Sequence, residues 1–120
     1  MDANSLPGGR TEGRQSGAAG QQCRVAVAAL HSVLDEEPVL RYQSVDRAEN
    51  QIVQLRDILI DALRQGRVAN EAETRQCLER VNVALSLVVG VEYPGAGIQQ
   101  KPLETAALIL EECCGSFFSA

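Results

Sequence analysis

The chain has 120 residues, which suits a single domain, and its 16 acidic and 11 basic side chains give a net charge of −5. This acidic balance disfavours nucleic acid and anionic membrane surfaces as partners, because both attract a basic face. The longest nearly apolar run extends only from Val81 to Val91, whereas a membrane-spanning helix needs about 20 apolar residues. Since no secretory signal is recognisable either, the sequence predicts a cytoplasmic protein.

The first twenty residues differ in composition from the rest of the chain. They contain five of the ten glycines, and their only large apolar side chains are Met1 and Leu6. Such a segment cannot bury enough surface to offset the entropy that it would lose on ordering. We therefore predict a disordered tail over residues 1–20 and a single helical domain over residues 21–120.

Beyond this tail, glycine and proline occupy few positions, and they divide the chain into four segments of helical length. The first predicted helix runs from Gln21 to Glu36 and ends before Pro38. Its apolar side chains recur at spacings of three and four residues, as one face of a helix requires. They are Cys23, Val27, Leu30 and Leu34.

The second predicted helix runs from Ser44 to Gln65. Ser44 has the side chain of an N-cap, and Gly66 stands where the glycine that ends many helices belongs. One face carries an uninterrupted apolar seam, formed by Val45, Ala48, Ile52, Leu55, Leu59 and Ala62. The caps and the seam together predict an amphipathic helix.

The third predicted helix begins at Asn70, whose spacing from Glu73 is that of a capping box. Glu71 and Arg75 have the i, i+4 arrangement of a helical ion pair. The inward face comprises Cys77, Leu78, Val81, Leu85 and Val88. The run VNVALSL also alternates with a period of two, so Val81–Val91 is open to a strand interpretation, although the cap and the length favour a helix.

The fourth predicted helix starts near Pro102, a residue that is favoured at the first helical position. Its apolar face comprises Leu103, Ala106, Ala107, Leu110 and Cys114. Helices of these lengths with short connections predict an all-α fold, a small antiparallel bundle of three to four helices.

Residue types that carry catalysis or bind metals are few and poorly spaced. A zinc site needs close ligand pairs such as C-x2-C, whereas the only close pair, Cys113 and Cys114, consists of adjacent helical residues that point apart. His31 is the only histidine and lies at the margin of an apolar face. We expect reduced, structural thiols and no catalytic residue, metal ligand or cofactor, while a Cys–His pair across helices stays open.

Two helices carry more apolar surface than one stripe accounts for, because large aliphatic side chains in each lie away from the core face. In a bundle this small, part of that surface is expected to contact another polypeptide, including a second copy of the chain in a homodimer. Scattered exposed aliphatic side chains are the alternative. The predicted partner-binding residues are Val53, Ile60, Arg80, Val83, Leu87 and Tyr93.

The segments QIVQLRDILIDALRQG and VNVALSLVVGVEYPGAGIQQKPLE, together with the Gly-rich start MDANSLPGG, resemble the small quorum-sensing antiactivators of pseudomonads. The resemblance extends over the whole chain. It implies a helical, self-associating bacterial protein that binds a LuxR-type transcription activator, covers its dimerisation surface and so blocks DNA binding. It assigns no individual site residue.

On the residues alone, the prediction is broader: a small regulatory protein that binds another protein, inhibits it by occlusion and is not an enzyme. A secretion chaperone or an antitoxin-like binding partner is the first alternative. A cysteine-dependent enzyme is the second, and it would require a polar, concave site that joins His31 to a cysteine.

Overall fold

The computed structural model describes residues 7–36, 41–93 and 97–119 of the chain. Nearly all of them belong to helices, which confirms the predicted all-α antiparallel bundle. The four helices are α1 (Pro7–Asp35), α2 (Arg41–Arg64), α3 (Glu71–Val89) and α4 (Gln100–Ser119).

The helices pack as a ring in which each one contacts two neighbours. α1 packs against α2 and α4, and α3 packs against the same two helices from the other side. The core is aliphatic and is lined by small residues that let the helices approach closely. Its fully buried large side chains are Leu30, Val33, Val45, Ile52, Leu55, Leu59, Val81, Val88, Val91, Leu103 and Leu110.

α1 begins at Pro7, before the start predicted at Gln21, so the helix reaches into the predicted tail. Ala19 is buried there and lies four residues before the buried Cys23, which extends the core face by one turn. Lengthening an existing helix needs no new nucleus, and this is why it continues into a segment of unfavourable composition. Residues 1–6, also part of the predicted tail, lie outside the described residues.

α2 confirms the predicted apolar seam, but its start differs from the prediction. The helix begins at Arg41, so Ser44 is not an N-cap and lies inside the first turn. Ser44 is buried, and its hydroxyl donates a hydrogen bond to the Glu36 carboxylate at the end of α1. A serine hydroxyl has one hydrogen to donate, and here the acceptor is the side chain of Glu36, the residue that follows α1.

The end of α2 has the hydrogen bonds of a Schellman motif. The amide of Gly66 donates to the carbonyl of Leu63 at 3.2 Å, and the amide of Arg67 donates to the carbonyl of Ala62 at 3.0 Å. Gly66 has a φ of +67°, a conformation that glycine adopts without steric cost. The predicted role of Gly66 as the terminating glycine is confirmed.

α3 resolves the ambiguity over Val81–Val91, because the helix continues to Val89. Its N-cap is Asn70, whose side-chain oxygen accepts a hydrogen bond from the Glu73 amide at 3.0 Å. The ion pair between Arg75 and Glu71 has also formed, at 2.9 Å. The period-two alternation in this stretch is therefore incidental to a helix whose inward positions recur at 3.6 residues.

The connection between α3 and α4 contains a short antiparallel pair of strands, β1 (Glu92–Tyr93) and β2 (Gly97–Ile98), with Glu92 opposite Ile98. The sequence prediction has no strand at this place. α4 then begins at Gln100, two residues before Pro102. Proline is tolerated in a first helical turn because the amides there have no acceptor within the helix.

Candidate functional site

The register between α3 and α4 is set by two cross-helix contacts. Arg80 Nη1 donates to Glu112 Oε1 at 3.1 Å, and the buried thiol of Cys77 in α3 lies beside that of Cys113 in α4. A residue further along α3 therefore faces a residue earlier in α4, as in any antiparallel pair. This register decides which exposed side chains of the two helices stand side by side.

Val83 and Leu108 are brought to the same level by this register. Val83 follows Arg80 by three residues and Leu108 precedes Glu112 by four, so each lies one turn from its end of the ion pair in the same direction along the bundle. Val83 is 52% exposed and Leu108 is 63% exposed. Two large aliphatic side chains are thus presented to solvent by adjacent helices.

Leu87 lies one turn beyond Val83 on the same side of α3. It is half-buried and packs against the hydrophobic core. We call the surface formed by Arg80, Val83, Leu87, Leu108 and Glu112 the α3–α4 face. Three of the six predicted partner-binding residues belong to it.

Val53 and Ile60, also predicted to bind a partner, lie on another side of the bundle. Both are half-buried on α2, which packs against α1 and α3. The exposed aliphatic residue on that side of α3 is Val89, which is 57% exposed. Val89 follows Arg80 by nine residues, which is two and a half helical turns. The two side chains therefore point to opposite sides of α3. These predicted partner-binding residues therefore do not form one surface but lie on two, one on each side of α3.

The sixth predicted residue, Tyr93, belongs to β1 at the end of α3, and its side chain lies outside the described part of the structure. Sequence reasoning missed Leu108. A projection of the fourth helix reveals it, because Leu108 points away from the stripe that contains Ala106 and Leu110.

A second feature is a groove of about 350 Å³ between α1 and α4. Its wall from α1 combines aliphatic and polar side chains, and its wall from α4 contributes a carboxylate and a thiol. The lining residues are Arg24, Val27, Ala28, His31, Glu111 and Cys114. His31 Nε2 lies 2.9 Å from Glu111 Oε2, so the two helices are also tied by this exposed pair. His31 and Cys114 both line this groove, but its lining is mostly apolar and His31 pairs with Glu111, whereas the cysteine-dependent alternative requires a polar site that joins the two.

Behind this groove, the thiol of Cys23 donates a hydrogen bond to the carbonyl of Leu110 at 3.2 Å, one turn before Cys114 in α4, which places Cys23 beside Cys114. The thiol of Cys23, beside Cys114, is the main reason that the pKa of Cys114 lies below the ordinary cysteine value. Partial burial of Cys114 opposes this shift, the Arg24 guanidinium supports it, and Glu111 opposes it. The pKa of Cys23 is raised by the same contact and by burial.

The other two cysteines form a similar contact between α3 and α4. Cys77 and Cys113 are both buried, and the hydrogen bond to Cys77, followed by burial, raises the pKa of the Cys113 thiol. All four cysteines are free thiols. The prediction of buried thiols is correct for Cys23, Cys77 and Cys113, whereas Cys114 is half-buried and faces the groove.

Within the described residues, no group of three His, Cys, Asp or Glu side chains is placed to hold a metal ion. Among the same residues, none of the helices combines the length and the apolarity that crossing a membrane demands. Comparison of the chain with protein-family models, with curated proteins and with solved structures produced no match.

Proposed function

We propose that this protein is a cytoplasmic regulatory protein that binds another protein through its α3–α4 face and inhibits it by occlusion. The partner class is a LuxR-type transcription activator, as the resemblance of the sequence to quorum-sensing antiactivators implies. The observation that carries the proposal is that Val83 and Leu108 are both exposed, at the same level of two adjacent helices.

The physical argument rests on the kind of surface that these residues make. Single exposed aliphatic side chains are common on proteins, but two of them at one level of adjacent helices, next to charged residues, have the composition of an interface core with a polar rim. Here the rim is the ion pair of Arg80 with Glu112, whose side chains are 45% and 70% exposed. Such a pair contributes little to stability in water but orients a partner as it docks.

Occlusion suits a partner that acts as a dimer. A two-fold symmetric activator uses the same self-complementary surface on both subunits, so one bound molecule on that surface prevents pairing. Loss of the dimer then weakens DNA binding, because the two half-sites are no longer bound together. The acidic net charge of −5 gives the inhibitor no affinity of its own for the DNA.

A fluorescence anisotropy titration tests this mechanism. A LuxR-type activator is bound to labelled operator DNA, and the purified protein is added at rising concentration. We expect the anisotropy to fall to the value of free DNA, together with a stable complex of activator and inhibitor on size-exclusion chromatography. A complex that retains the DNA would exclude occlusion, and the absence of any complex would exclude this partner class.

The variant Val83→Asp provides the specificity control for the titration. Its exposed side chain leaves folding intact, so a failure to displace DNA reports the loss of the α3–α4 face. A secretion chaperone or antitoxin-like protein is the alternative binding function, and it would leave the activator–DNA complex unchanged with both the original protein and the variant.

A further inference from the structure

α4 carries two adjacent cysteines, each of which lies beside a thiol of a different helix. Cys113 lies beside Cys77 of α3, and Cys114 lies beside Cys23 of α1, whose thiol bonds to Leu110 one turn earlier in α4. The first pair is closed off in the core, with Cys113 only 1% exposed, while the second opens through Cys114 onto the α1–α4 groove. Both pairs therefore consist of two cysteines, but small molecules can reach the second pair from solvent and cannot reach the first.

The open pair has the arrangement of a reactive thiol backed by a second thiol. Cys114 is half-buried at the groove, and Cys23 lies fully buried behind it. The Cys23 sulfur is 3.2 Å from the carbonyl oxygen of Leu110, one turn before Cys114 in the same helix. The single hydrogen of Cys23 thus has two acceptors within reach, the Leu110 carbonyl and the Cys114 sulfur, and it stabilises a thiolate when it points to Cys114.

We propose that Cys114 and Cys23 form a peroxide-reactive thiol pair, in which a hydroperoxide oxidises Cys114 and Cys23 then closes a disulfide between α4 and α1. This modification site is independent of the proposed partner-binding function. It lies on the α1 side of α4, whereas Glu112 and the α3–α4 face lie on the α3 side.

The reaction has two balanced steps. The Cys114 thiolate attacks one peroxide oxygen, an S–O bond forms, the O–O bond breaks, and the leaving alkoxide or hydroxide takes a proton from water. Cys23 then loses its proton, its sulfur attacks the sulfur of the Cys114 sulfenic acid, and the expelled hydroxide takes that proton to give water. Overall, the thiol pair loses two electrons and the hydroperoxide is reduced by two electrons.

The side chains around Cys114 suit this substrate class. The Arg24 cation is close enough to favour the Cys114 thiolate and any negative charge on the departing oxygen. Val27 and Ala28 form an aliphatic wall that accommodates the alkyl group of an organic hydroperoxide. Glu111 opposes the thiolate, but its carboxylate is engaged with His31 at 2.9 Å.

The closed pair serves as an internal control. Cys77 and Cys113 are 5% and 1% exposed, so a hydroperoxide reaches them only when the bundle opens. If contact between two thiols were sufficient for oxidation, both pairs would react. The structure predicts that the exposed pair reacts faster, because a hydroperoxide can reach Cys114 from the groove.

The test treats the full chain with a limiting amount of cumene hydroperoxide, blocks the remaining thiols with iodoacetamide, and maps the peptides by mass spectrometry. We expect a peptide pair linked through Cys23 and Cys114, with Cys77 and Cys113 alkylated after unfolding. Oxidation of the open pair should be at least about tenfold faster than that of the closed pair. Equal rates for the two pairs, or four thiols left intact while free cysteine is oxidised, would overturn the proposal.

Single variants assign the two roles. In Cys23→Ser the sulfenic acid of Cys114 has no resolving thiol, so dimedone should label Cys114. In Cys114→Ser no label should appear at Cys23, and in Cys113→Ser the link between Cys23 and Cys114 should form as before. A dimedone label on Cys23 in the Cys114→Ser protein would contradict the assignment. If Cys23→Ser fails to fold, the peptide map of the unmodified sequence still decides the proposal.

Discussion

The guanidinium of Arg80 lies 3.1 Å from the carboxylate of Glu112, so these two residues mark the same level on the exposed surfaces of α3 and α4. Along the helices, the residues one turn away from the two ends of this ion pair are Val83 and Leu108. An ion pair that is largely exposed adds little to the free energy of unfolding, about 0–1 kcal/mol. The ion pair instead places charged side chains next to the exposed aliphatic residues Val83 and Leu108.

Val83 and Leu87 should respond differently to a new charge, although both were selected by the same helical projection. Leu87 packs against the core, so Leu87→Glu should lower the free energy of unfolding by about 2–3 kcal/mol, since its carboxylate is partly desolvated. Val83 is 52% exposed, and Val83→Asp should change the free energy of unfolding by less than about 0.5 kcal/mol. Urea denaturation followed by circular dichroism measures both values. Equal destabilisation by the two variants would place Val83 in the core.

Self-association is expected to use the opposite side of α3, where Val89 is exposed, together with the side of α2 that carries Val53 and Ile60. We predict that the protein sediments as a dimer at micromolar concentration, and that Val89→Asp shifts it to a monomer. Val83→Asp is the matched control and should leave the dimer intact. Sedimentation velocity over a range of concentrations checks both, and a monomer at every concentration would remove the homodimer from the account.

Replacement of glycine by alanine should have opposite effects on stability at Gly66 and at Gly115. Gly66 has a φ of +67° with no atom within 4 Å of an added Cβ, so Gly66→Ala should cost about 1 kcal/mol through backbone strain alone. Gly115 lies inside α4, also with no atom within 4 Å of an added Cβ, so Gly115→Ala should stabilise the protein by about 0.5–1 kcal/mol. The melting temperature should therefore fall for Gly66→Ala and rise for Gly115→Ala. A shift in the same direction for both would contradict the helix end at Gly66.

The reactivity of Cys114 should depend on pH in a way that its neighbours control. Its pKa is lowered chiefly by Cys23, with a further contribution from Arg24, and is raised by burial and by Glu111. The thiolate reacts, so alkylation of Cys114 should reach half its maximal rate at a lower pH than alkylation of free cysteine. Arg24→Gln should move this midpoint to higher pH and Glu111→Gln to lower pH. Rates measured by peptide mapping would contradict this if both variants shift the midpoint in the same direction.

Much of the fold follows from the spacing of apolar residues and from the positions of glycine and proline. The seam from Val45 to Ala62 is buried as predicted, and Gly66 ends α2, because both features depend on local geometry. The role predicted for Ser44 is wrong, since its hydrogen bond to Glu36 depends on how two helices meet. A cap prediction uses only the residues that follow, so it has no information on an acceptor from the preceding helix.

The site could be predicted only in part, for a similar physical reason. A helical projection finds side chains that lie off the core face, and it correctly finds Val83. It cannot tell that Val53 lies on another side of the bundle or that Leu108 lies at the level of Val83, because both depend on how the helices pack. The contact between Cys23 and Cys114 is likewise a tertiary relationship between residues that are distant in the sequence.

The most direct test of the α3–α4 face is the dissociation constant for a LuxR-type activator, measured by isothermal titration calorimetry for three variants. Val83→Asp and Leu108→Asp each place a charge at the centre of the proposed contact, and Val25→Asp places one on α1 at a side chain that is 40% exposed. We predict that the first two weaken binding at least about tenfold, as removal of an interface anchor does, and that the third leaves it unchanged. Unchanged affinity in all three folded variants, or equal losses in all three, would contradict the assignment of this face.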